Sequence, residues 1–157
     1  MENEILDCEY NAEIPKSFFT LLSPYKTRLL YHNLPYLSYW NSKRKFNAKV
    51  YKHKLDSIGI DHLIRNIDSS IPLHYPIVVP KNSDGLFNFL IKHNIYVERW
   101  FKPPLYPMPK NLSKFQYDIK LYPKSNTYSQ RIISLPLSPS LTKSSILYTC
   151  NIINSYF

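Results

Sequence analysis

Between Ile71 and Lys102 the spacing of apolar positions changes twice. Leu73 to Val79 is apolar and partly β-branched, as a strand requires, and Pro80 ends it because proline has no N–H to give a ladder. Asn82 or Ser83 then caps a short helix whose Leu86, Phe87, Leu90 and Ile91 recur at helical spacing on one face. Asn94, directly after His93, tolerates the left-handed conformation that a helix end calls for. From Ile95 to Phe101 the period becomes two: Ile95, Val97 and Arg99 share one side, and Tyr96, Glu98 and Trp100 the other. The pattern predicts strand, helix, strand, with the helix laid on a small sheet.

Upstream, Phe18, Leu21, Leu22, Tyr25 and Leu29 recur at three and four between Pro15 and His32, which predicts two short helices meeting at Pro24. A longer helix starts near Pro35, runs to about Ser57 and is closed by Gly59. Its inward face is predicted to be Leu37, Trp40, Ala48, Tyr51, Leu55 and Ile58, with Arg44 and Asn47 on or beside that stripe. Downstream, Pro103, Pro104, Pro107 and Pro109 exclude regular structure, and the polar, tyrosine-rich residues 111–130 allow a helical turn or two. Ile132 to Leu135 reads as a strand, and Thr142 caps a last helix in which Ile146, Cys150, Ile153 and Phe157 share a face.

A length of 157 residues suits one domain, and 44% hydrophobic with 15% aromatic residues is a globular composition. Only two glycines occur, Gly59 and Gly85, so there is no glycine-rich loop to bring backbone close to a phosphate. Cys8 and Cys150 form no paired motif, and the five histidines lack metal-ligand spacing, which argues against a zinc site. Cys150 falls on a core face and reads as packing before it reads as a nucleophile. With no apolar run of membrane-spanning length and no secretory start, the chain is expected to be soluble and cytoplasmic, and Asn111-Leu-Ser to be a chance glycosylation match.

The net charge of +9 is unevenly spread. The first thirteen residues hold five acids and no base, so residues 1–16 read as an acidic, flexible arm and residues 17–157 as the folded domain. Beyond the first thirteen, twenty basic side chains face six acidic ones. Lys45, Lys49 and Lys52 line up on one helix face, a feature that would suit nucleic acid or another polyanion. With no nucleic-acid-binding pattern beside it, the row is expected to be an ordinary solvated face, and nucleic acid is not an expected partner.

The order of the pieces is more specific than any one of them. A helix carrying Arg44, Asn47, Ala48, Tyr51 and Leu55 precedes a strand around His74 to Val79. Then follow a helix ending at Asn94-Ile95, a Trp100-Phe-Lys-Pro-Pro-Leu105 segment, and Ser-Leu-Pro-Leu-Ser-Pro-Ser-Leu-Thr142 before a final helix. This resembles the C-terminal, smaller domain of the DegT/DnrJ/StrS family of PLP-dependent sugar aminotransferases, over roughly residues 17–157. The resemblance implies an α+β fold with a small, mainly antiparallel sheet packed with helices, as in the small domain of fold-type I aminotransferases. It also implies that PLP is held by a large domain carrying the Schiff-base lysine, and none of the chain's lysines sits in a segment like the family's. No cofactor is therefore expected to bind this chain alone, and PLP is implied only for a complete enzyme.

Two departures stand out: Tyr106 where relatives often have histidine, and Asn94 where they usually have glycine. The chain is expected to be a truncated or split aminotransferase, inactive alone, with a separate PLP-binding large-domain polypeptide as partner and self-association through uncovered apolar surface. The alternative is a noncatalytic module binding a protein or polyanion through its basic helix face. No catalytic or metal-binding residue is assigned. Arg99, Trp100 and Tyr106, with His74 on the neighbouring strand, are the expected substrate or partner edge, because the resemblance places this segment beside the active-site cleft. There an arginine fork suits a carboxylate or phosphate, and an aromatic can wall a sugar. The competing expectation makes Arg99 a partner of Glu98 or Asp84 and Trp100 a core filler.

Overall fold

The computed structural model describes residues 20–102, 104–105 and 115–157, together with positions 8, 11, 13 and 14. Tyr106, Asn111, Phe18, Pro103, Pro107, Pro109 and most of the acidic arm lie outside the described residues. Helix α1 is Pro24–Asn33, a 3-10 turn covers Leu34–Tyr36, and α2 is Leu37–Ser57. Strands β1 (Asp61–His62) and β2 (His74–Val78) precede α3 (Asp84–Lys92), and α4 (Pro123–Ser129), β3 (Ile132–Pro136) and α5 (Lys143–Tyr156) complete the order.

Pro24 opens α1 instead of joining two helices: it occupies the first turn, where a missing N–H costs nothing, and the Ser23 side chain accepts from the Lys26 N–H. The long helix α2 and the short helix α3 both end as expected and by the same device. Gly59 is left-handed (φ 73°), with its N–H on the Asp56 carbonyl and the Ile60 N–H on that of Leu55. Asn94 repeats this at φ 58°, with its N–H on Ile91 and the Ile95 N–H on Leu90. Thr142 Oγ1 caps α5 by accepting from the Ser145 N–H at 3.1 Å.

The sheet is antiparallel, in the order β1-β2-β3, with His62 opposite Ile77 and Ile77 opposite Ile133. Pro76 sits in the central strand, which is unusual because it cannot donate. Its carbonyl accepts from the Leu63 N–H, but it has no N–H to return, and β1 stops at His62. On the other side Pro76 faces Ser134, whose N–H and carbonyl are both taken by Glu98, at 2.8 and 3.1 Å. Proline therefore stands where β3 asks nothing of it.

That Glu98–Ser134 bridge is all that forms of the strand predicted over Ile95–Phe101. The Ile95 N–H is spent on the helix end before it, and after Glu98 the chain turns, with the Lys102 N–H on the Arg99 carbonyl. The alternation survives in burial: Ile95 and Val97 are buried while Tyr96 is exposed.

The core lies between the sheet and three helices: Tyr51 and Leu55 of α2, Leu86 and Leu90 of α3, Ile146, Cys150 and Ile153 of α5, and Ile77 and Ile133 of the sheet. Burial of α2 begins only at Asn47, so the predicted inward positions Leu37 and Trp40 are not in the core, and Leu37 is 44% exposed. Ile91 and Phe157, each at the edge of a predicted apolar face, are also exposed. No helix among the described residues is long and apolar enough to cross a membrane.

Candidate functional site

Two clefts open beside the start of β2 and share Leu73, His74 and Ser134. The larger, about 470 Å³, lies between β2 and the segment after Glu98, and Trp100, Phe101 and Leu105 make it mostly apolar. The smaller, about 260 Å³, is more polar, with Arg44 from α2, Glu98 and Tyr96 from the bridging segment, and Ser138 from the loop after β3.

Two of the predicted edge residues meet here. The His74 and Trp100 rings lie 5.2 Å apart at 43°, and His74 Nδ1 is 3.6 Å from Glu98 Oε2. The Trp100 Nε1–H donates to the same carboxylate, and Tyr96 Oη donates to its other oxygen at 2.9 Å, which raises the Tyr96 phenol above its ordinary pKa. Glu98 is thus the hub of the edge, although it was not among the predicted site residues. The alternation already placed Tyr96, Glu98 and Trp100 on one side, and His74 was expected beside Trp100; what the pattern did not show was that Glu98 gathers all three contacts.

Arg99 turns the other way, toward α3. Its guanidinium pairs with Asp84 and lies 3.9 Å from the centre of the Phe87 ring. Lys102 reaches the same Asp84 oxygen at 2.5 Å, and these cations, Lys102 foremost, hold the carboxyl below its ordinary pKa. Arg99 lines a separate shallow cleft with Phe87 and Trp100. Tyr106 lies outside the described residues.

The lysine row is engaged within the domain. Lys45 donates to the Asp68 carbonyl, Lys49 pairs with the Asp68 carboxylate at 2.7 Å, and Lys52 pairs with Asp56 at 2.9 Å. Cys150 is fully buried, and burial pushes its thiol up to about 11, as suits a packing residue.

The sequence profile of the DegT/DnrJ/EryC1/StrS aminotransferase family matches residues 21–154. The chain belongs to this family. Solved structures agree with the fold. A family aminotransferase from Brucella abortus is 22% identical, with a TM-score of 0.67 over 81% of this chain and 34% of its own length. DesV of S. venezuelae, in complex with a ketimine intermediate, is 18% identical, with a TM-score of 0.72 over 97% of this chain and 42% of its own. The putative sugar aminotransferase Spr1654 of Streptococcus pneumoniae is 20% identical, with a TM-score of 0.68 over 78% of this chain and 32% of its own. No curated protein matches the chain by sequence. The chain therefore spans about a third of the length of the Brucella and Streptococcus relatives and 42% of DesV.

The DegT/DnrJ/EryC1/StrS family is PLP-dependent, and the described residues do not fit that cofactor. A PLP aldimine needs a lysine inside a pocket, with partners for phosphate and ring nitrogen. Every described lysine is at least partly exposed, and none lines either cleft.

Proposed function

We propose that this chain is the small-domain part of a PLP-dependent sugar aminotransferase, and that it transaminates only together with a PLP-binding large domain on a separate polypeptide or elsewhere in a longer one. The observation that carries this reading is the family match over residues 21–154 combined with coverage of only about a third of several relatives. The surface position of the described lysines supports it, as does the Spr1654 structure in a PLP form. In this reading the edge formed by His74 and Trp100 faces substrate in the assembled enzyme, and Arg99 and Tyr106 are assigned to it by the family resemblance alone.

Uncovered apolar surface on and around α1 supports a partner there. Leu21 is 97% exposed, and Tyr25, Leu30, Tyr31 and Leu34 are all more than half exposed. Large-domain packing covers this face, and without it copies of the chain associate. The test is to incubate the purified chain with PLP and glutamate, reduce with borohydride and map the peptides. No turnover and no single modified lysine is expected; PLP fixed stoichiometrically to one lysine would overturn the reading.

A further inference from the structure

Arg44 is half-buried on the wall of the smaller cleft. Its only hydrogen bond among the described residues runs from Nη1 to Asn41 Oδ1 at 3.2 Å, and no carboxylate there lies within ion-pairing distance. The contrast with Arg99, whose charge is met by Asp84, is direct. A guanidinium has five donors in a planar fork, so Arg44 keeps most of its donors unspent while part of its surface is withdrawn from water. Such a group is best satisfied by an oxyanion that accepts two of its N–H groups together.

The wall opposite is held in place by the same helix. Asn47, one turn beyond Arg44 and buried, donates through Nδ2 to the Ser138 carbonyl at 3.0 Å and to that of Leu141 at 3.4 Å. Arg44 and Asn47 thus divide two tasks, one facing the cleft and the other fixing the loop that closes it. Glu98 is the carboxylate on the cleft, and both its oxygens already accept, from Tyr96 and Trp100. Its charge selects against a ligand with a second anionic group near it and in favour of hydroxyl or amine donors. The volume, about 260 Å³, is slightly below the roughly 300 Å³ at which drug-sized sites begin, and exceeds what a bare inorganic anion fills.

From this geometry we infer that the cleft is an oxyanion site, in which Arg44 grips the phosphate or carboxylate of a compact organic molecule whose body lies against Leu73, Pro136 and Tyr96. The site needs neither PLP nor a large domain, so it stands or falls separately from the function proposed above.

The test is an NMR titration of the 15N-labelled chain at low ionic strength with inorganic phosphate, glucose 1-phosphate and lactate, each against sodium chloride at matched ionic strength. Saturable shifts are expected at the amides of Arg44, His74, Ser134 and Ser138 with at least one oxyanion and not with chloride; phosphate against lactate tells which oxyanion is preferred. Arg44→Gln should weaken that binding at least about tenfold, as loss of a charge-assisted contact does, with the rest of the spectrum unmoved. Should that variant not fold, Arg44→Lys, which keeps the charge and loses the fork, should weaken binding by a smaller factor. The inference is overturned if these amides do not saturate with any of the three, if shifts collect on Lys45, Lys49 and Lys52 instead, or if the Arg44 variants bind like the parent.

Discussion

The two halves of α2 have similar sequence patterns and opposite fates. From Asn47 onward, Ala48, Tyr51 and Leu55 are fully buried against α5 and the sheet. Before it, Leu37, Tyr39 and Phe46 are about half exposed, and the preceding α1 buries none of its residues despite Leu29, Leu30 and Tyr31. Helical periodicity states which residues share a face; it does not state whether anything lies over that face. Helices gain most of their stability from tertiary packing, so the first region depends on a partner in a way the second does not.

The largest separation should come from truncating leucine in each region. Leu90→Ala empties a site in the core and is expected to cost about 2–5 kcal/mol, whereas Leu30→Ala, on α1, should stay within about 0.5 kcal/mol. Urea unfolding of both variants measures this, and equal losses would mean that α1 is already packed in the isolated chain. The contrast would sharpen further if a large-domain partner made the Leu30 substitution costly.

A smaller effect is expected at the boundary between the regions. Asn47→Ala removes the donor that holds the Ser138 and Leu141 carbonyls, and should cost about 1–3 kcal/mol by leaving polar groups unmet near the core. Because the loop after β3 is tethered by this side chain, hydrogen exchange should rise at residues 138–142 more than in α1. A uniform rise would show that Asn47 acts only through global stability.

The smallest effect concerns the partly exposed charges joining α3 to the segment after Glu98. Asp84 has its folded-state pKa lowered by Lys102 and then Arg99, so its pairing stabilises the fold above the unfolded carboxylate value, about 3.9, and the contribution is lost as pH falls through the lowered folded value. Asp84→Asn should therefore be less stable than the parent near pH 7, with the gap closing below about pH 4. Denaturant midpoints of the two proteins across that range provide the check, and a gap that persists in acid would assign the effect to packing instead of charge.

Most local decisions in this chain were legible from residue type. Gly59 and Asn94 close helices because few other residues accept a left-handed turn, and Thr142 opens one because its hydroxyl satisfies a free backbone N–H. The buried face of α5, apart from Phe157, and the strand cores follow from spacing, whereas the family is recognised by the resemblance of its ordered motifs and not by periodicity. Tertiary structure decided where those elements find partners. The strand expected from Ile95 shrank to one bridge because its first N–H was already used and its far end turned away, events set by neighbours outside the run. Arg44 and Arg99 are the same residue type, yet Arg99 meets Asp84 and Arg44 faces an open cleft. Backbone preferences act over a few residues and can be read in order along the chain, whereas charge pairing and burial depend on groups brought together from distant positions, which only the folded chain specifies.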